Sequence, residues 1–319
     1  MTAVTIVGAG SIGVAWAVVF SRAGHRVAVY DVDAGRVASA LPEVESRLAE
    51  LAGFGLVEDG VGEVLARVTV TADLDEALDG TAYVQECVVE SLEVKRELFA
   101  SLDRRTGTDV VLASSTSMIP CSRFADGLSG RARCLVVHPG NPPYLLPIAE
   151  LAPAPFTDPA TVSRARSLLS AAGMVPVLVG KENEGFVFNR LQGALLREAY
   201  CLVRDGVASP ADVDRVVSSG LGRRWAVLGP FATADLNTRG GIERHAELLG
   251  PAYARMGAER GQDDPWTPDL VARVASEVHE SLPPGDWAAN VERRDRALMR
   301  LEQARRTDPS AFGGFTRAD

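Results

Sequence analysis

The sequence predicts a doubly wound, mostly parallel α/β sheet followed by an all-α C-terminal domain. Three observations predict it. A Gly8-Ala9-Gly10-Ser11-Ile12-Gly13 turn joins a β-branched run to a segment of helical periodicity. Short apolar runs then alternate with helical patterns, as βα units of a parallel sheet do. From about Gly185 the period changes to that of helices alone. With the connector Leu178–Glu184 as boundary, the domains are 1–183 and 184–319. A chain of 319 residues is long enough for both to hold a core.

Taken in order, Ala3–Val7 is the short β-branched run expected of a buried parallel strand. After the glycine-rich turn, Ile12, Ala15, Trp16, Val19 and Phe20 recur at helical spacing, and Gly24 ends the helix. "RVAVYD" is the second strand and closes on Asp31. A G-x-G-x-x-G between strand and helix, with an acid about 20 residues on, is the dinucleotide fingerprint of a Rossmann-type domain. Gly8 permits the tight turn. Gly10 lets the main chain approach a pyrophosphate, and Gly13 lets helix and strand pack closely. Ser11, Ile12 and Gly13 open a helix whose free N–H groups and dipole suit the phosphates. Asp31 accepts hydrogen bonds from the adenosine ribose and repels a 2′-phosphate, so the cofactor expected is NAD rather than NADP. Arg36 does not directly follow Asp31 and is given no role there.

A helical region runs from about Ala34 to Ala66 and breaks near "GFG". Strands follow at Arg67–Thr71, Tyr83–Val89, Val110–Ala113 and Cys134–His138, with helices at Leu74–Leu78 and Leu92–Leu102 between them. Ligands of such sheets bind beyond the carboxyl ends of the strands. Glu90, Ser115, Ser117 and His138 all fall at or just past strand ends. Pro139, Pro142 and Pro143 stiffen the turn after His138, and Glu150 lies on the next strand, "PIAEL". Histidine suits a proton transfer because its unperturbed pKa is about 6.5. A carboxylate beside it fixes the tautomer and stabilises the imidazolium.

In the C-terminal part, "GFVFNRLQGALLREAYCLVRDG" is apolar on most of its circumference and is expected to be buried on several sides, as helices of an interface often are. Ser209 caps the next helix, with Pro210 at its first position. Further helices are expected at Gly241–Met256, Pro268–Ser281 and Asp286–Arg305, with a frayed tail.

Composition excludes several functions. The formal net charge is −9 and no Lys/Arg-rich run exists, which argues against nucleic acid. No apolar segment approaches the roughly 20 residues of a membrane span, and no signal-peptide pattern is read. The four cysteines lack a C-x-x-C and read as reduced thiols of a cytoplasmic protein. No metal-ligand spacing is present. His25 is expected to be solvated in a turn, and neither His245 nor His279 reads as a ligand.

The segments "GAGSIG", "QECVVESLEVK", "SSTS", "HPGNPP", Glu150 and "GFVFNRL" occur in one order that resembles the 3-hydroxyacyl-CoA dehydrogenase superfamily. "HPGNPPYLLPIAEL", "SSTS" and "GLGRRWAVLGPF" make the chain most similar to the lambda-crystallin / L-gulonate 3-dehydrogenase branch. The resemblance implies an NAD-dependent dehydrogenase and a set of residue roles. His138 matches the catalytic histidine and Glu150 the glutamate that orients it. Ser117 matches the serine that hydrogen-bonds the substrate oxygen, and Asn189 the active-site asparagine. Glu90 and Lys95 match cofactor contacts, although Lys95 on "LEVKRELF" also fits an ordinary exposed helix lysine. Ser115 sits where relatives carry an asparagine lining the same site. The helical domain is expected to complete the substrate cleft and to form a homodimer. Arg224 is a candidate for a substrate carboxylate, since its guanidinium can pair bidentately, and Asn237 has a similar claim. A surface or interface role for Arg224 is equally open.

Three functional readings follow: dehydrogenation of a small free 3-hydroxy acid such as L-gulonate, dehydrogenation of a 3-hydroxyacyl-CoA thioester, and an NAD-binding structural protein of crystallin type. Residues 34–67 offer Arg36, Arg47 and Arg67 against Glu43, Glu45, Glu50, Glu58, Asp59 and Glu63. That balance suits a polyanionic CoA tail poorly. Gly140 departs from the larger apolar residue of relatives. It is expected to leave space beside His138 and to loosen the turn.

Overall fold

The computed structural model describes residues 2–226, 229–238, 241–260 and 286–308, with Asp269 and Pro283 as isolated positions. It divides into two compact units, Met1–Arg190 and Leu191–Asp319. The division falls beyond the expected connector because the chain after Glu184 remains bonded to the first unit.

The first unit is an eight-stranded sheet of order β3-β2-β1-β4-β5-β6-β7-β8. Its strands are β1 (Ala3–Val7), β2 (Arg26–Tyr30), β3 (Val68–Thr71), β4 (Tyr83–Glu86), β5 (Val111–Ser114), β6 (Cys134–Pro139), β7 (Ile148–Pro153) and β8 (Val175–Leu178). All neighbours are parallel except β6 and β7. Strand order reverses between β1 and β4, the switch point at which doubly wound sheets open their ligand crevice. The helices are α1 (Ser11–Arg22), α2 (Ala34–Gly53), α3 (Val61–Leu65), α4 (Leu74–Leu78), α5 (Leu92–Arg105), α6 (Cys121–Ala125) and α7 (Pro159–Ala171). α6, α7 and β8 go beyond the elements the sequence pattern outlines.

Both faces are covered at β1 and at β4 to β7, which is why those strands read as apolar runs rather than alternations. On one face α1 buries every residue from Gly13 to Ser21. Trp16 stacks on Phe20 at 5.3 Å, and Phe20 meets Tyr83 at 5.8 Å. On the other face Phe99, Leu102 and Phe124 join Val84, Leu112 and Val136 in one cluster. β4 is shorter than the run "YVQECVV" suggests, because the Val88 N–H turns back to the Glu86 side chain at 2.7 Å. His25 is buried rather than solvated, its Nδ1 accepting the Thr2 N–H at 3.2 Å. Burial and a nearby positive charge hold its pKa below the usual value.

The β6–β7 hairpin places His138 directly opposite Glu150. Gly140 corrects the expectation of open space. A Cβ there would meet Ile148 Cγ2 at 2.7 Å, Leu146 Cβ at 3.0 Å and the Leu146 carbonyl at 3.2 Å. Its N–H closes the hairpin on the Ile148 carbonyl at 3.1 Å. The glycine is a tight approach that pins the hairpin rather than a gap that loosens it.

The second unit is helical. α8 (Phe188–Arg204) starts in the first unit and continues into the second. α9 (Pro210–Val216) is capped by Ser209, whose hydroxyl accepts the Asp212 N–H at 3.1 Å. A π-helical turn at Val217–Leu221 leads into α10 (Gly222–Trp225). α11 (Pro230–Asn237), α12 (Gly241–Arg260) and α13 (Trp287–Thr307) follow. Arg260 ties α12 to Glu198 of α8 at 2.9 and 3.0 Å and to Asp205 just past its end. Within the single chain α8 buries only Cys201 and Val203, while Leu191, Leu195 and Leu196 are exposed. Apart from Asp269, the helix expected at Pro268–Ser281 lies outside the described residues, as do His279 and the tail from residue 309.

Replacing Gly140 by alanine is expected to cost about 1–3 kcal/mol, the usual range for overpacking. Urea unfolding checks this, and an unchanged midpoint would mean the hairpin yields to the methyl group.

Candidate active site

The site is built where strands of the first unit end. At the end of β1, Gly8 has a φ of +107°, and a Cβ there would meet the Cys87 carbonyl at 2.7 Å. A Cβ on Gly13 would fall 1.8 Å from the Gly8 carbonyl, so only glycine lets α1 dock this closely. Gly10 is different. Nothing lies within 4 Å of its Cβ position, and it caps α1 with no side-chain hydrogen bond. Ser11 is exposed, and Ile12 is half-buried beside it. The first turn of α1 therefore meets open space with N–H groups that no cap covers, as a pyrophosphate requires. Asp31 stands beside this turn. One carboxylate oxygen accepts the Ala9 N–H at 2.7 Å and the other the Asp33 N–H at 2.9 Å. Both oxygens keep lone pairs for ribose hydroxyls. These residues fit NAD.

At the ends of β4 and β5 the chain turns on Glu90. One of its oxygens accepts the Thr116 hydroxyl, the Ser117 N–H at 3.0 Å and the Met118 N–H at 3.2 Å. The other lies 3.3 Å from Lys95 Nζ. Burial would raise the Glu90 pKa, but the Thr116 hydrogen bond and the Lys95 charge outweigh it and hold the carboxyl below its usual range. Lys95 is not an exposed helix lysine. It is 1% exposed, with Nζ 2.9 and 3.0 Å from the two oxygens of the fully buried Glu86. Ser115 is engaged at its side chain: its hydroxyl receives Trp16 Nε1 at 3.1 Å and Gln85 Nε2 at 2.7 Å and lies 3.3 Å from Cys87 Sγ. The Ser117 side chain carries no hydrogen bond among the described residues, while its carbonyl accepts Asn189 Nδ2 at 2.9 Å.

His138 is the penultimate residue of β6, with Nδ1 2.8 Å from Glu150 Oε2. The other oxygen of Glu150 accepts the N–H groups of Val187 at 2.8 Å and Phe188 at 2.9 Å. Burial pushes the Glu150 pKa up, but the His138 bond and the two backbone N–H groups outweigh it and hold the carboxyl below its usual range. A charged Glu150 needs a donor on Nδ1. The proton of neutral imidazole is therefore assigned to Nδ1, and the lone pair to Nε2. Nε2 carries no hydrogen bond among the described residues. Phe186 and Phe188 flank the ring at 5.7 and 6.2 Å. Phe186 has a φ of +48°, a left-handed backbone costing an aromatic residue about 1–3 kcal/mol. Its complete burial returns about 1.5–3 kcal/mol, and the two N–H bonds that its geometry aims at Glu150 add more.

Within the first unit the structure thus joins His138 to Glu150, and Ser117 to Asn189 and Glu90. Arg224 and Asn237 belong to the second unit, both exposed, on α10 and α11. Sequence reasoning missed Glu86, Gln85 and Phe186. For Glu86 the signal was available: an acid inside an otherwise buried strand demands a partner. All four cysteines are free thiols. Among the described residues no cluster of His, Cys, Asp and Glu is arranged to hold a metal ion, and no helix is long and apolar enough to cross a membrane.

Because the folded Glu150 pKa is depressed, its contribution to stability is complete above the unfolded value of about 4.3 and is lost as pH falls through the folded value. Glu150→Gln is therefore expected to be about 2 kcal/mol less stable than the wild type at pH 7, with the gap closing below pH 4. Parallel urea titrations at the two pH values check this, and a gap independent of pH would refute it.

Comparison with known proteins agrees with this geometry. Residues 3–183 match the family profile of the 3-hydroxyacyl-CoA dehydrogenase NAD binding domain, and residues 185–277 match that of the 3-hydroxyacyl-CoA dehydrogenase C-terminal domain. A lambda-crystallin homolog of Bos taurus is 40% identical over 314 residues, covering 96% of each chain. An L-carnitine dehydrogenase of Streptomyces coelicolor is 34% identical and covers 94% of each. The crystal structure of an NAD+-dependent 5-formyl-3-hydroxy-2-methylpyridine 4-carboxylic acid 5-dehydrogenase superposes with a TM-score of 0.81 at 30% identity, over 95% of this chain and 98% of that one. From its glycine turn to its helical C-terminal unit, the chain belongs to the 3-hydroxyacyl-CoA dehydrogenase family of NAD-dependent dehydrogenases.

Proposed function

We propose that the protein oxidises the 3-hydroxyl of a small free hydroxy acid, of the L-gulonate or L-carnitine kind, with His138 and Glu150 as the general-base dyad. The observation that carries this is the 2.8 Å Nδ1–Oε2 bond to a carboxylate that two backbone N–H groups hold ionised. Bound NAD supplies the acceptor for the hydride. The Nε2 lone pair of His138 takes the hydroxyl proton, and the charge of Glu150 stabilises the imidazolium that results. Ser117 donates to the substrate oxygen as it becomes a carbonyl, and Asn189 both steadies that turn and lines the site. Gly8, Gly10, Ser11, Ile12 and Gly13 hold the pyrophosphate, Asp31 the ribose, and Glu90 and Ser115 the nicotinamide end. Arg224 is the proposed partner of the substrate carboxylate, and Asn237 is a further candidate for that role.

The free-acid reading is supported by how the arginines of residues 34–67 are spent. Arg67 is held by Asp59 at 2.6 Å, Glu63 at 2.9 Å and the Ser21 carbonyl at 3.0 Å. Arg47 bonds the Ser11 carbonyl at 3.1 Å and lies over the Tyr144 ring. Of the three, Arg36 is exposed and makes no side-chain bond among the described residues, so a single arginine stands against the surplus of carboxylates there, a poor setting for the phosphates of a CoA thioester. The relative that acts on L-carnitine, a free 3-hydroxy acid, points the same way. A homodimer through the C-terminal unit belongs to this proposal, with Leu191, Leu195 and Leu196 of α8 as its apolar contribution.

The test is NADH formation from NAD with L-gulonate, L-carnitine and 3-hydroxybutyryl-CoA in one assay. Turnover of a free acid is expected, and turnover of the thioester alone would overturn the substrate reading. In the same assay His138→Ala should bind NADH normally while kcat falls by about 10²–10⁴. Near-normal turnover would remove His138 from the mechanism. Asp31→Ala should reduce the preference for NAD over NADP, and an unchanged ratio would detach Asp31 from the ribose.

A further inference from the structure

We propose that the buried Glu86–Lys95 pair is a positioning device that sets, through Glu90, the turn presenting Ser117. Glu86 is fully buried at the end of β4, paired in register with Val7 of β1 and Ser114 of β5. Its carboxylate is saturated. Lys95 Nζ reaches both oxygens, the Val88 N–H meets one, and the Ser114 hydroxyl meets the other. Lys95, 1% exposed, has one further neighbour, Glu90 at 3.3 Å. Glu90 in turn accepts the Thr116 hydroxyl and the backbone N–H groups of Ser117 and Met118. The Ser117 carbonyl then receives Asn189. One bonded chain thus runs from the middle of the sheet to two residues of the proposed site.

Two features separate this from a merely stabilising ion pair. Apolar residues of the same volume generally serve a buried site as well as a salt bridge does, so the pair is poor value as stability alone. The group contains two carboxylates for one ammonium. Glu86 anchors Lys95 at a fixed depth, and Lys95 holds the partly exposed Glu90 over the turn. Lys95 therefore reaches the crevice through Glu90, and we assign it this role in place of a direct cofactor contact. The functional meaning rests on the reading of Ser117 as the donor to the substrate oxygen.

The experiment is amide hydrogen exchange by NMR on the substrate-free protein. It compares the wild type with the charge-neutral double variant Glu86→Gln/Lys95→Met. Exchange at Ser117 and Met118 is expected to accelerate about tenfold or more, while Val84 of β4 and Leu112 of β5 keep their protection. Uniform acceleration would mean the pair only stabilises the sheet, and unchanged rates would mean Glu90 holds the turn unaided. Either result overturns the proposal. Glu86→Gln/Lys95→Gln provides the same test should the methionine variant fail to fold. It keeps polar, near-isosteric side chains in the buried site, removes the ammonium facing Glu90 and leaves Glu90 itself and its three donors intact. Faster exchange at Ser117 and Met118 supports the proposal, and wild-type rates overturn it. No substrate enters this measurement, so it stands apart from the hydroxy-acid reading, which Ser117→Ala turnover tests separately.

Discussion

The buried carboxylate of Glu150 is the point on which the rest of the site depends. Its place opposite His138 follows from antiparallel register, which a slip of one residue would turn to the other face of the sheet. One oxygen binds the imidazole and the other the N–H groups of Val187 and Phe188. Through those two bonds the carboxylate also fixes where α8 begins and hence where Asn189 stands. A single ionised group therefore orients the proposed base, justifies the left-handed Phe186 and carries the chain toward the second unit. Losing it would leave the buried imidazole and two part-buried N–H groups without this partner, and the imidazole alone would cost about 1–3 kcal/mol.

The same device recurs along the sheet. Asp31, Glu86 and Glu90 all stand where strands end or have just ended, and each accepts backbone N–H groups of the chain as it leaves the ladder. Strand ends release donors that the sheet no longer pairs, and a carboxylate gathers two or three at once. The crevice is thereby ordered by anions, while its phosphate end is left to the dipole and open N–H groups of α1. Cofactor phosphates and general base meet opposite local electrostatics within one unit.

Glycine does two unlike jobs in that frame. Gly8 and Gly13 are required because carbonyl oxygens occupy the space of a Cβ, whereas Gly10 faces open space that a ligand can fill. Gly140 belongs with the first pair, since Leu146 and Ile148 close over it. A glycine in place of a larger apolar residue therefore signals a compact hairpin here.

Much of this was readable from the chain alone, because the signals were local. The glycine turn, the acid after β2 and the run from His138 to Glu150 are each set by short spacing and by residue chemistry. Those spacings are dictated by the backbone geometry of a strand, a tight turn and a helix start. Lys95 and His25 were not readable in this way. A lysine on a helix and a histidine in a turn are ordinarily solvated, and only packing against Glu86 and against the start of β1 buries them. Gly140 and Phe186 were hidden for the same reason: their constraints come from residues packed over them or bonded across the sheet. The sequence by itself determined the parallel sheet and the cofactor, and it singled out His138 and Glu150. The tertiary structure decided which charges are buried, which donors they gather and how the Ser117 turn is held, because those depend on contacts between strands that only folding brings together.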